Sequence, residues 1–232
     1  RFRHEAVAID PHTKIAYQTE DRDDGLIYRF IPSKTGQYGL NGKLQALSIP
    51  NIKSNDTRNW DKAIIKNNKK YSAGWIDIKN PDLNEDKLRY ICAKKGAAIF
   101  ARPEGMWYDN NSVYFTCTSG GYNKIGQIWK YHIKDNTIEL LFESHKTELM
   151  KKCDNIIVAP WGDMIICEDG RGMDRLIGIK PNGKTYVIAE NSLNSAEFAG
   201  ASFSPDGKIL FVNIYSPTTT LAITGPWESL KN

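Results

Sequence analysis

No apolar run in this chain approaches the ~20 residues that a membrane-spanning helix needs, so its hydrophobic residues have to be buried within a fold. Cysteine is scarce, and Cys92, Cys117, Cys153 and Cys167 show no C-x-x-C spacing. That removes a zinc ribbon and thioredoxin-like chemistry, while the even number permits disulfides without requiring them. There is no G-x-S-x-G, and His12, His132 and His145 fall in turn-like or polar surroundings, so no serine-hydrolase arrangement is indicated. A charge excess is missing too. Thirty-one basic residues face 27 acidic ones, and lysine-rich stretches such as 62–70 read as a solvated face, not as a nucleic-acid footprint with stacking aromatics. Arg1-Phe2-Arg3-His4-Glu5 contains neither an initiator Met nor a charged-then-apolar leader, so the expectation is a processed N-terminus or one cut from a longer chain.

What is present is ordinary for a soluble globular protein: 41% hydrophobic and 25% charged residues over a length of 232. Reading down the chain reveals a repeat, which decides the fold before any single motif does. Four units open at Glu5, Glu104, Asp154 and Glu197, each followed by short β-branched and aromatic runs. Turns such as Asp109-Asn110-Asn111, Trp161-Gly162-Asp163 and Ser204-Pro205-Asp206-Gly207 separate them, as hairpins require. The steps of 50 and 43 residues between the last three openings are a propeller-blade period.

The expected architecture is therefore all-β, a single β-propeller domain over 1–232 with about four blades. The 99-residue step from Glu5 to Glu104 leaves room for an irregular insertion around residues 50–96, carrying a short helix or two. The fourth unit shows three strands before Gly225-Pro226-Trp227, so further blades upstream of Arg1 are expected.

The first strand of each blade lines the axis of a propeller, which makes Glu5, Glu104, Asp154 and Glu197 converge. Unpartnered carboxylates at close range repel one another, and bound cations remove that cost. Oxygen ligands favour hard ions, so calcium, magnesium or a trivalent iron-like ion is expected in preference to zinc. Glu20-Asp21 and Glu168-Asp169 close second strands at offsets of 15 and 14 from the opening acid; Glu20 and Glu168 join the candidate ligands. Arg3-His4-Glu5 and Arg102-Pro103-Glu104 share Arg-x-Glu, and residues two apart on a strand face one side. An arginine fork beside metal-binding carboxylates suits an oxyanion, or the pair is a plain ion pair in the channel wall. Cys117 and Cys167 share an offset of 13 and read as equivalent core positions.

Several strings resemble the PhoX-type alkaline phosphatases. These are Arg3-His4-Glu5-Ala6-Val7, Thr19-Glu20-Asp21-Arg22, Arg102-Pro103-Glu104-Gly105, Tyr114-Phe115-Thr116 with Ser119-Gly120-Gly121, and Gly126-Gln127-Ile128-Trp129. Cys167-Glu168-Asp169-Gly170, Glu197-Phe198-Ala199-Gly200, Phe203-Ser204-Pro205-Asp206-Gly207 and Gly225-Pro226-Trp227 continue the match in order; only 50–96 is loosely matched. The resemblance implies a six-bladed propeller exported by the twin-arginine route to the periplasm or beyond. It also implies hydrolysis of small-molecule phosphate monoesters at a centre of calcium and iron, with further ligands upstream, a cysteine to iron among them. Carried over, Glu5 and Glu104 resemble metal ligands and Arg102 a phosphate-binding group; Asp154, Glu168 and Glu197 are weaker transfers. Separately from the resemblance, Arg3 is expected to join Arg102 in neutralising transition-state charge. A monomer without nucleic-acid or membrane partners is expected. The rival readings are a calcium-dependent lactonase of the six-bladed type and a non-catalytic metal-binding propeller.

Overall fold

The computed structural model describes residues 2–39 and 41–230. Its first sheet holds β1 (His4–Ile9), β2 (Ala16–Glu20), β3 (Ile27–Pro32) and β4 (Gly42–Ser48). After β5 (Lys70–Ser72), β6 (Gly74–Asp77) and the helix α1 (Leu88–Lys94), the second sheet follows with β7 (Pro103–Asp109), β8 (Ser112–Cys117), β9 (Gln127–His132) and β10 (Thr137–Glu143). The third is β11 (Cys153–Val158), β12 (Met164–Glu168), β13 (Arg175–Ile179) and β14 (Thr185–Glu190). The fourth is β15 (Phe198–Phe203), β16 (Ile209–Ile214) and β17 (Thr219–Thr224). All neighbouring strands are antiparallel, and the sheets stand as four blades of a β-propeller with β1, β7, β11 and β15 innermost.

Local chemistry explains the meanders. Asn110 and Asn111 both adopt positive φ, 41° and 57°, which is the two-residue hairpin turn that matches strand twist. Between β15 and β16, Ile209 N–H donates to Ser204 Oγ at 3.0 Å, and Gly207 takes a φ of +70°. Along β10 and β16 burial alternates with period two, the signature of strands with one face in a core.

The cores lie between blades. Phe115 and Trp129 stack in parallel at 6.2 Å with Phe100 edge-on to both, joining the first two blades with Tyr17 and Tyr131. Ile128, Met150, Ile156 and Ile166 fill the next interface, and Ile157, Ile165, Leu210 and Val212 the one after. Trp227 folds back to stack on Trp161 at 5.5 Å and donates from Nε1 to the Lys208 carbonyl at 2.8 Å.

Two sequence expectations change. The 50–96 segment is less irregular than its composition suggests: β6 extends the first blade beyond β4, and β5 extends the second beyond β10. Both cover outer edges that would otherwise be unpaired. One short α-helix forms there among the described residues, as expected, packed on Leu26, Tyr28 and Ala46 through Leu88 and Cys92. Lastly, Cys117 and Cys167 are both buried but not equivalent. Cys117 pairs across the sheet region with Pro103, whereas the position opposite Cys153 is Glu168, because the third blade's first hairpin is longer.

Candidate metal centre

Each innermost strand carries a bulge near its start, between His4 and Val7, Pro103 and Met106, Cys153 and Ile156, and Ala199 and Ser202. An extra residue there bends the strand and re-aims its side chains. Glu5, Glu104 and Asp154 occupy the same place in their bulges. The fourth blade differs: its register puts Gly200 at that place, and Glu197 stands three residues earlier, just before β15. Three of the opening acids thus share a register, and the fourth enters from the strand's mouth.

Threonines of one blade hold the acidic residues of the next. Thr19 Oγ1 donates to the Glu104 carbonyl at 2.6 Å, and Thr116 Oγ1, its counterpart, to the Asp154 carbonyl at 2.5 Å. Between the second and third blades the backbones approach so closely that a Cβ on Gly105 would stand 2.4 Å from the Asp154 carbonyl oxygen. Only glycine fits beside Glu104 without moving the neighbouring blade.

The side chains then meet. One oxygen each from Asp154, Asp169 and Glu197 lies within 4.8 Å of the other two. Glu104, almost fully buried, shares a hydrogen bond with Asp154, and Glu197 shares one with Asp169. Burial is the first cause that pushes Glu104 well above the usual carboxylate range, followed by Asp154. Asp154 is raised by burial and by the charges of Glu197, Asp169 and Glu5. Glu197 rises to about 7, through burial and then Asp169. Four crowded carboxyls from three blades cannot all ionise without a counter-charge.

Arg102 borders this group. It donates from Nε and Nη2 to Asp21 at 2.8 and 3.2 Å and pairs with Glu104. Its backbone φ of +51° is the left-handed region, where a residue with a side chain is strained. The Phe100–Arg102 approach is fixed by bonds from Phe100 N–H to the Gly25 carbonyl and from Arg102 N–H to the Arg22 carbonyl, 2.9 and 2.8 Å.

Glu5 is exposed at the start of β1. Arg3 is exposed as well and makes no ion pair among the described residues; its carbonyl accepts the Asp21 N–H at 3.1 Å. His4 faces away from its neighbours, edge-on to Phe2.

Glu20 and Glu168 are placed elsewhere. Both are fully buried inside their blades, because they point to the opposite side of the strand from Asp21 and Asp169. Glu168 is saturated: Arg175 donates from Nε and Nη2 at 2.8 and 2.7 Å, and the Lys151 and Arg175 amides at 2.7 and 3.2 Å. Glu20 accepts from Tyr28 Oη at 2.8 Å and Leu26 N–H at 3.3 Å, with Arg89 at 3.9 Å, and burial raises it to about 7. Within each acidic pair the second residue, not the first, reaches the neighbouring blade: Asp21 meets Arg102, and Asp169 meets Glu197. Asp21 and Asp169 were visible in the sequence as members of those pairs, and strand alternation counted back from the opening acid is the signal that separates them from their neighbours.

Beside Asp169 and Glu197 opens a cleft of about 550 Å³, walled by Asn194, Tyr215 and Pro217. The cluster of possible metal ligands at its edge is carboxylate: Asp154, Asp169 and Glu197. Calcium takes its oxygens at 2.3–2.6 Å, so two of its ligands stand up to about 5 Å apart. The spacing of Asp154, Asp169 and Glu197 fits one such ion.

The family model for alkaline phosphatase PhoX matches residues 1–218. The chain belongs to the PhoX family. Among curated proteins there is no match. Similar solved structures include a protein from Lactobacillus plantarum, 10% identical with a TM-score of 0.44, covering 94% of this chain and 54% of that one. A gluconolactonase from Xanthomonas campestris is 13% identical with a TM-score of 0.40, covering 96% of this chain and 72% of its own. The chain therefore spans about half the length of the first of these structures. No helix among the described residues of this PhoX-family chain is long and apolar enough to cross a membrane.

Proposed function

We propose that this chain is the metal-binding and phosphate-binding part of a phosphomonoesterase that releases inorganic phosphate from small-molecule phosphate monoesters. The observation that carries the reading is the meeting of Glu104, Asp154, Asp169 and Glu197 with Arg102 at their edge, in a chain of the PhoX family. Glu104, Asp154, Asp169 and Glu197 would hold cations, with Glu5 reaching in from the first blade. Glu20 and Glu168 serve as internal supports of the strand ends. The oxygen-only set suits calcium; iron rests on family membership. Bound cations supply Lewis acidity toward phosphoryl oxygens.

The residues of the chain do the rest. Arg102, oriented by Asp21 through Nε and Nη2, would offer its Nη1 donors to a phosphoryl oxygen and neutralise charge as it develops. Arg3, exposed and without an ion pair among the described residues, is a lesser contributor. The interblade threonine bonds to the Glu104 and Asp154 backbone carbonyls hold the strands that carry these carboxylates. In this reading the whole chain is one propeller domain with 50–96 inserted, working as a monomer in the periplasm or outside the cell.

The test is direct. Protein purified without chelator is analysed for metals and assayed on p-nitrophenyl phosphate and on a lactone. Bound calcium with iron, together with phosphate release abolished by chelation and restored by calcium, is the expected result. Lactone hydrolysis without phosphatase activity, or absence of bound metal, overturns it.

A further inference from the structure

Three cations occupy one structural position. Arg3, Arg102 and Lys152 each stand two residues before the bulged acid of their strand, Glu5, Glu104 and Asp154. Each carbonyl accepts an N–H from the end of the second strand: Asp21 to Arg3 at 3.1 Å, Thr118 to Arg102 at 3.0 Å, and Asp169 to Lys152 at 2.9 Å. Arg102 and Lys152 even share the left-handed backbone, with φ of 51° and 47°. The conformation is unfavourable for a residue with a side chain, so its recurrence in adjacent blades marks a position that the fold holds deliberately.

Their partners differ. Arg102 is paired with Asp21 and Glu104 through Nε and Nη2. Lys152 has no carboxylate at hydrogen-bond distance among the described residues; its Nζ donates to the Lys124 carbonyl at 2.8 Å. It is nevertheless partly buried, and Arg102 acts on it as a like charge at close range. Asp23 and Asp169, the latter a member of the acidic centre, act on the same ammonium as opposite charges. Lys152 thus lies within electrostatic reach of both the arginine and the acidic centre, its ammonium held by a backbone carbonyl and by no carboxylate at hydrogen-bond distance among the described residues.

We infer that Lys152 is a second phosphate-binding residue, which shares with Arg102 the nonbridging oxygens of a phosphoryl group held at the acidic centre. The inference rests on the phosphatase reading. An anion between two cations removes their repulsion, and a compact ammonium on a flexible stem can exchange the Lys124 carbonyl for a phosphoryl oxygen. Arginine contributes a fixed fork and lysine a movable point charge, which together cover more of a tetrahedral dianion than either does alone.

Inorganic phosphate is titrated calorimetrically into the metal-loaded full chain and into its Lys152→Met and Lys152→Arg variants, alongside p-nitrophenyl phosphate kinetics and metal analysis. Removing a charge-assisted bond should weaken phosphate binding and raise KM roughly ten- to a hundredfold, with metal content unchanged and kcat altered less than KM. Lys152→Arg should recover most of the loss. Unchanged phosphate affinity in Lys152→Met overturns the role of Lys152 while leaving the phosphatase reading intact. If Lys152→Met loses its metals or its fold, Lys152→Gln takes its place, and wild-type phosphate affinity there overturns the inference equally. A wild-type protein that holds its metals but binds no phosphate overturns both readings.

Discussion

Arg3-His4-Glu5 and Arg102-Pro103-Glu104 have the same spacing and the same position in their blades, and they end in opposite environments. Arg3 and Glu5 are exposed, and Arg3 forms no ion pair among the described residues. Arg102 and Glu104 are paired with each other, and Glu104 is almost wholly buried. The difference is in the neighbours. β7 packs between the inner strands β1 and β11, whereas β1 packs extensively on one inner strand among the described residues, β7. Asp21 of the first blade reaches across to Arg102 of the second, as Thr19 does to the Glu104 carbonyl. Each blade therefore completes the acidic position of the next one.

The largest effect that tests this contrast comes from the arginines. Arg102→Ala should lower phosphatase kcat/KM by about a hundredfold or more, as removal of a preorganised charge-stabilising donor does. Arg3→Ala should cost about tenfold or less, with thermal stability changed by no more than about 0.5 kcal/mol. Equal losses in steady-state assays would break the comparison and make the two arginines partners in one role.

The adjacent acids Glu168 and Asp169 sharpen it further. Glu168→Gln should destabilise the chain by about 3 kcal/mol, since Arg175 is left with a buried, uncompensated charge, while calcium affinity stays near that of the wild type. Asp169→Asn should do the reverse, weakening calcium binding by about tenfold or more and leaving the metal-free melting point unchanged or raised. Calorimetric melts with and without calcium separate these outcomes; a metal-binding loss confined to Glu168→Gln would invert the assignment.

The smallest effect is the pH dependence of stability. Glu104, Asp154 and Glu197 are all raised in the folded state, Glu197 from 4.5 to about 7. Between those limits the folded, metal-free chain holds protons that the unfolded chain has released, so stability falls as pH rises through this window. Buried Glu20, also raised to about 7, adds to the same slope. Metal-free melting points should therefore decline from about pH 5 to pH 8, and saturating calcium should flatten the decline. A metal-free profile that rises over this range would show that the carboxylates are not crowded as described.

Much of the fold was legible because blades repeat. Alternating apolar runs separated by Asn-Asn, Trp-Gly-Asp and Pro-Asp-Gly turns locate the strands of the last three blades, and local backbone chemistry is enough to explain them. The insertion was opaque for a physical reason: β5 and β6 are three and four residues long and exist only because β10 and β4 present unpaired edges to them. At the site, Glu104, Asp154 and Glu197 could be named from their place at blade openings. Lys152 was hidden by a conservative change, since Lys-x-Asp repeats Arg-x-Glu with both residues altered.

By itself the sequence determined the blade period, the turn positions, the family and the stock of acids at the inner strand ends, because these depend on near neighbours in the chain. Only the tertiary structure decided which acids meet. One step along a strand turns Glu168 into the blade and Asp169 toward Glu197, and a one-residue bulge aims Glu104 at Asp154. Those outcomes depend on register and on the adjacent blade, and side chains that face each other across blades carry no trace of that meeting in their sequence spacing.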